Sequence, residues 1–147
     1  MQLSSLLRPN AVRAGVIPYT ILNGEKHYLM GLSQYDDGSL VWSDFGGRCE
    51  EETAYFCLLR ETDEESSGLL TAEVYEAMRS GRVSIHSSTP GDYLVLAEIS
   101  YRDYPSVFQP NEEILNLAWL SGTELLRLPL ERLHQPIRKY VYLWNGQ

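Results

Sequence analysis

Glu61, Glu64 and Glu65 stand at i, i+3 and i+4 in the stretch "LLRETDEESS", which contains neither glycine nor proline. On a helix turning ~100° per residue, these three carboxylates share one face. Like charges so placed repel by roughly 0.2–0.5 kcal/mol per pair even in water, and a cation is expected to offset them. Ala54, Cys57 and Leu58 continue the same face backwards, which aims the acids toward the protein body. Gly46 and Gly47 lie just ahead. Hard carboxylate oxygens on a rigid helix, beside the carbonyls of a glycine turn, suit Mg²⁺ or Mn²⁺ with positions left open for phosphate oxygens. The alternative is an ordinary solvated face on which Arg60 simply pairs with Glu64.

The charge of the whole chain points to the same place. The formal net charge is −8, and from Asp44 to Glu65 eight acids face only Arg48 and Arg60, a net −6 for that segment. The remainder is nearly neutral and has no basic stripe, which disfavours an extended nucleic acid as partner while leaving a short nucleotide open. At 147 residues and 44% hydrophobic, the chain is expected to form a single domain over 1–147 with one core. The two cysteines, Cys49 and Cys57, offer no disulfide framework, and Cys57 reads as a small core residue. "LSSLL" near the start is too short for a signal-peptide core, and no stretch approaches the ~20 apolar residues of a membrane span. A reducing, cytoplasmic setting is the default expectation.

The elements that must position the acids follow from pattern. "VRAGVIPYT" reads as a strand that is bent or near an edge, because it contains Gly15 and Pro18. "KHYLMGLS" is its hairpin partner across "NGE". "LVWSDFGG" reads as one short strand ending in paired glycines, followed by a helix from Thr53 to Glu65. "TAEVYEAMRSG" predicts a second helix with a glycine stop. "RVSIHS", "DYLVLAEISY" and "ILNLAWL" predict strands, the second of them central. "GTELLRL" and "QPIRKYVYLW" predict closing helices, the last with proline near its start. Interleaved strands and helices indicate an α/β chain with a mixed sheet covered by helices.

From Gly46 onward the segment resembles the Nudix box, G-x5-E-x7-R-E-U-x-E-E-x-G-U with U aliphatic. Glu52, Arg60, Glu61, Glu64 and Glu65 keep both long spacings. Three departures concern the loops: Thr62 replaces the aliphatic residue, Ser67 stands at the second glycine with Gly68 one place later, and "DFGG" lacks the frequent proline. The later helix end suggested by Gly68 is one expectation of that shift. The resemblance implies the α/β/α sandwich of the Nudix hydrolases and a metal-dependent pyrophosphohydrolase. Such an enzyme cleaves a phosphoanhydride in a nucleoside diphosphate linked to another moiety, by attack of water on phosphorus.

The resemblance further implies roles. Glu61, Glu64 and Glu65 would ligate Mg²⁺ or Mn²⁺, with the Gly46 carbonyl as a fourth ligand. Arg60 would orient Glu61, and Glu52 would support Arg60 or a metal-bound water. Glu61 is the first choice of general base, with Glu112 and Glu113 as alternatives in the loop of "QPNEEILNLAW". Arg48 is the basic side chain best placed to meet a phosphate, and Tyr35, Trp42 and Tyr93 are candidates to stack a base. His86 reads as structural. The helix from Thr71 to Gly81 is expected, by analogy, to line the substrate mouth. Small nucleotides remain as substrates: nucleoside triphosphates, nucleotide sugars or ADP-ribose. A homodimer is compatible with the resemblance. The competing readings are a Nudix-like module that binds nucleotide or protein without catalysis and, more distantly, an isopentenyl diphosphate isomerase.

Overall fold

Period-2 alternation builds the centre of the molecule. In β1 (Arg13–Leu22), Val16 packs to one side of the sheet and Ile17 to the other, and in β2 (Glu25–Gln34) Leu29 and Met30 divide in the same way. Asn23 and Gly24 both adopt positive φ at the turn between them, 53° and 78°, the geometry of a tight hairpin. A computed structural model describes residues 1–145 of the chain.

The sheet has seven strands in the order β3 (Leu40–Ser43), β2, β1, β6 (Asp92–Glu98) and β5 (Val83–Thr89), with β4 (Phe45–Arg48) paired to β1 and β7 (Asn116–Ser121) paired to β2. β6 (Asp92–Glu98) runs parallel to β1, and the other pairings are antiparallel. β1 is central, not near an edge. Pro18 is tolerated there because β1 changes partner around it: residues 13–16 pair with β4, and residues 19–22 pair with β2. A residue without an N–H falls where one ladder has ended and the next has not begun.

"LVWSDFGG" likewise makes two strands, β3 (Leu40–Ser43) and β4 (Phe45–Arg48), rather than one. The break is Asp44, where the chain passes from the side of β2 to the side of β1. β5 (Val83–Thr89) lies outside β6, and β7 (Asn116–Ser121) borders β2.

Helices cover both faces. α1 (Ala54–Glu65) and α2 (Thr71–Arg79) bury Ala54, Cys57, Leu58, Val74, Ala77 and Met78 against Val16, Leu29 and Val95. A four-residue turn, α3 (Tyr104–Val107), and a 3-10 turn at Leu3–Leu7 add to that layer. On the opposite face, α4 (Gly122–Arg127) and the closing segment Gln135–Trp144 bury Leu125, Ile137, Tyr140 and Trp144 against Ile17, Met30 and Leu94. The closing segment is 3-10 in type, not the expected α-helix. The architecture is α/β/α with a mixed sheet.

α1 starts one residue after its cap: the Thr53 hydroxyl accepts from the Phe56 N–H at 3.3 Å. Ser67 and Gly68 take left-handed φ, 54° and 78°, so the helix ends at Glu65 despite the glycine standing one place late. Thr62, at the aliphatic position of the box, is fully buried, and its hydroxyl donates to the Leu58 carbonyl at 2.7 Å.

The cysteines depart from expectation. Cys49 and Cys57 form a disulfide that closes an eight-residue separation between the end of β4 and α1. Disulfides persist mainly in oxidising compartments, and the expectation of a reducing one rested on reading these thiols as unpaired. Among the described residues no helix is long and apolar enough to cross a membrane.

Candidate active site

The glycines of β4 allow the site to close around the carboxylates. A Cβ on Gly47 would stand 2.5 Å from Glu61 Oε1, and a Cβ on Gly46 would stand 2.5 Å from the Gly15 Cα. Only bare backbone lets α1 bring Glu61 against β4, and β4 against β1. The Gly46 N–H donates to Glu65 Oε1 at 3.3 Å, so the contact seen at Gly46 is through its N–H.

The Glu61 and Glu65 carboxyls lie beside one another, near enough for Glu61 to act on Glu65 electrostatically. Burial first, then Asp44 and Glu61, hold the Glu65 carboxyl far above the usual range. Burial also raises Glu61, although Arg60 opposes the rise. Two carboxyls in one desolvated place carry an unmet demand for positive charge.

Arg60 meets part of that demand. Its guanidinium donates to Glu52 Oε1 at 2.5 Å, to Glu61 Oε2 at 3.0 Å, to Glu64 Oε1 at 2.9 Å and to the Arg48 carbonyl at 3.2 Å. Glu52 thus holds Arg60, and Arg60 holds Glu61. Glu64 is half exposed and turned to Arg60. As a result, among the described residues no three His, Cys, Asp or Glu side chains are grouped as an ion would need. The pair of buried Glu65 and half-buried Glu61 fits a hard divalent cation by charge and donor type, while Glu64 stands turned away to Arg60.

These carboxylates form one wall of a cleft of about 500 Å³, lined also by Tyr35, Gly46, Gly47, Arg48, Arg60, Glu112, Glu113 and His134. Glu112 and Glu113 are exposed at its rim, on a loop tied to α1 by Asn111. The Asn111 amide donates to the Glu65 carbonyl at 2.9 Å, and its oxygen accepts from the Glu113 N–H at 2.9 Å. Nothing in the sequence pattern links Asn111 to α1, because its partner there, Glu65, is 46 residues away.

Two expected residues and one expected helix stand elsewhere. Trp42 packs half-buried against the second core, beside Leu133, and does not line the cleft. Tyr93 is buried in the first core. α2 packs on α1 and β6 and contributes Ala72 and Glu73 to a different, more apolar hollow, so it does not form the mouth. His86 lies 3.0 Å from the Ser84 hydroxyl and does not line the cleft.

His134 was not foreseen. Its Nδ1 lies 3.2 Å from the Ser43 hydroxyl, its backbone N–H donates to the Trp42 carbonyl, and its ring stands 5.8 Å from that of Tyr35. Burial lowers its pKa, so the imidazole is neutral near pH 7. Below it, Arg13 and Asp44 form a bidentate pair, with both contacts at 2.9 Å. A lone histidine after a leucine-rich run carries no local signal.

No protein-family model matches the sequence, and no curated protein matches it. Solved structures do. An Ap4A hydrolase from C. elegans in a binary complex aligns at 18% identity over 93% of this chain and 100% of that one, TM-score 0.56. The NUDIX domain of Shewanella oneidensis NrtR, solved with ADP ribose, aligns at 13% identity over 91% of this chain and 85% of that one, TM-score 0.57. The chain has the Nudix fold. A possible asymmetric Ap4A hydrolase from Jonesia denitrificans gives TM-score 0.55 at 15% identity, covering 89% of each chain. At these identities the likeness speaks for the Nudix fold alone. Within that fold, the box of this sequence falls on α1 and the glycine strand β4, where the carboxylates meet the cleft.

Proposed function

We propose that this chain is a divalent-metal-dependent hydrolase that cleaves a phosphoanhydride in a nucleoside diphosphate derivative. The observation that carries the proposal is the pair Glu61 and Glu65, set beneath Gly46 and Gly47 at the wall of an open cleft, where Arg60 reaches Glu61 but, among the described residues, no arginine or lysine pairs with Glu65. Two similar structures, an Ap4A hydrolase and a Nudix domain with ADP ribose, lend support to a nucleotide as substrate.

Glu61 and Glu65 would hold Mg²⁺ or Mn²⁺, with Glu64 and the Gly46 carbonyl completing the set. Such an ion supplies charge neutralisation for phosphate oxygens and acidifies water. The chain's own groups do the rest. Glu61, oriented by Arg60, takes the proton of the attacking water; its oxygen bonds to phosphorus, and the bridging oxygen departs with the leaving phosphate. Glu112 and Glu113 are the alternative bases, brought to the rim by Asn111. Arg48 meets the phosphate chain, and Tyr35 with His134 offers a ring surface for the nucleoside.

Release of phosphate-containing products from a panel of nucleoside diphosphate derivatives tests the reading. Turnover is expected only with Mg²⁺ or Mn²⁺ and should fall at least about a hundredfold in Glu64→Gln, the loss of several kcal/mol of charge stabilisation. A second reading, a module that binds nucleotide without cleaving it, draws on the engagement of Glu64 by Arg60. It predicts a rise in Tm with nucleotide and no product.

A further inference from the structure

The acidic cleft is short of free positive charge on its own walls. Arg60 is saturated by Glu52, Glu61, Glu64 and the Arg48 carbonyl. That leaves Arg48 as the remaining arginine or lysine lining this cleft, and its guanidinium has no carboxylate partner among the described residues.

Arg48 also lines a second, smaller cleft of about 410 Å³, and there the balance of charge reverses. Its other lining groups include Arg13, Asp92, Gln135, Arg138 and Lys139. Arg13 is neutralised by Asp44, and Lys139 by Asp92 at 2.6 Å. Arg138 is anchored through Nε, which donates to the Leu133 carbonyl at 2.9 Å, and among the described residues its guanidinium pairs with no carboxylate. Arg48 and Arg138 are therefore the uncompensated cations of this second cleft. The two clefts meet at Arg48.

We infer that the cleft of Arg48, Arg138 and Lys139 is an anion subsite, and that the substrate is a nucleoside polyphosphate whose phosphates extend beyond the bond cleaved. This rests on the hydrolase reading for what happens in the acidic cleft. Phosphate oxygens held among carboxylates need a divalent cation, but phosphates further along the chain carry charge that this cation does not cover. A guanidinium neutralises them directly and can do so through two parallel N–H donors. Arg48 stands where the phosphate chain leaves the acidic cleft, and Arg138 stands beyond it on the segment that follows His134. A nucleotide sugar would present neutral hydroxyls to these two arginines and leave their charge unused. The selectivity follows from charge, independently of the base.

Calorimetric titration with inorganic tripolyphosphate, with divalent ions chelated and ionic strength fixed, reads the subsite without turnover. Without a metal the acidic cleft repels the probe, and binding reports the cationic one. Kd should rise about tenfold or more in Arg138→Gln, the loss of a charge-assisted contact. It should rise further in the Arg48→Gln/Arg138→Gln double variant. Arg127→Gln, which removes the same charge from exposed α4, should leave Kd within about twofold; circular dichroism and Tm check that each variant folds. Failure of wild type to bind tripolyphosphate, or equal weakening by Arg138→Gln and Arg127→Gln, overturns the inference. In the turnover arm, the ratio of kcat/KM for a nucleoside tetraphosphate over ADP-ribose should fall about tenfold in Arg138→Gln, and an unchanged ratio also overturns it. If wild type turns over no nucleotide, the hydrolase reading falls while the tripolyphosphate titration still decides the subsite.

Discussion

Two buried groups of charge sit on either side of the glycine strand β4, and they solve opposite problems. Asp44, wholly buried, is met by both terminal nitrogens of Arg13 and by the Ser43 hydroxyl, so its charge is balanced by the chain itself. Glu65, nearly as buried, is met by one backbone N–H and by another carboxyl. Arg13 is driven in the direction a tight pair demands: burial lowers its pKa, Asp44 raises it, and the net is upward. Glu65 is driven away from its charged form. A self-balanced pair is a structural device that fixes where the chain crosses from β2 to β1, whereas the second group leaves Glu65 without a cationic partner among the described residues.

The sharpest way to break that comparison is to remove one partner from each group. Asp44→Ala leaves Arg13 buried and unpaired, and should cost about 3–5 kcal/mol of stability in denaturant unfolding, with or without divalent ions. Glu65→Gln should do the reverse. Glutamine keeps an acceptor for the Gly46 N–H and removes a charge the site disfavours, so the metal-free protein should be no less stable. It should lose the rise in Tm that Mg²⁺ or Mn²⁺ gives wild type through linkage. A metal-free Glu65→Gln protein several kcal/mol less stable than wild type would place both groups in the same structural class.

A finer test uses the two glycines, whose side-chain positions are equally crowded but by different neighbours. A Cβ on Gly46 meets backbone, the Gly15 Cα at 2.5 Å and the Ala14 carbonyl at 2.8 Å. Neither atom can swing aside, and Gly46→Ala should cost about 1–3 kcal/mol as overpacking. A Cβ on Gly47 meets the far end of the Glu61 side chain, which can move. Gly47→Ala should therefore leave stability within about 1 kcal/mol while displacing the proposed base. An ångström of displacement can cost up to about a hundredfold in rate, and kcat should fall at least about tenfold. Equal stability losses from both substitutions would mean that Glu61 is locked as firmly as the backbone.

The carboxylate side of the site was readable in the sequence because it is local. Glu61, Glu64 and Glu65 lie within one helical turn or so, Ala54, Cys57 and Leu58 mark the buried face, and Thr53 marks the start. The long-range pairs around them were not readable. Arg13 and Asp44 are 31 residues apart, and His134 reaches Ser43 across 91, so no window of pattern contains both members. The same limit explains Pro18, which signals an edge by local rules and is accommodated in a central strand by a change of partner elsewhere in the chain. Helix geometry also gave less than it promised for Glu64: it is near Glu61 and Glu65 on the helix, yet its carboxylate is half exposed and pairs with Arg60 one turn earlier.

The Cys49–Cys57 disulfide tests how far the comparison extends to the loop that joins its two sides. The bond closes an eight-residue separation and, by loop entropy, contributes about 2 kcal/mol, which Cys49→Ser should remove. The effect on turnover should be smaller. Arg60 spans the same gap independently, reaching the Arg48 carbonyl on one side of the disulfide and Glu52 on the other, and Glu52 in turn accepts from the Glu50 N–H. With those contacts intact, kcat/KM in Cys49→Ser should stay within about threefold of wild type, and dithiothreitol should have the same effect on wild type as the substitution. A much larger loss of rate would mean that the covalent link, not the Arg60 network, positions the loop, and that the site depends on the redox state of its surroundings.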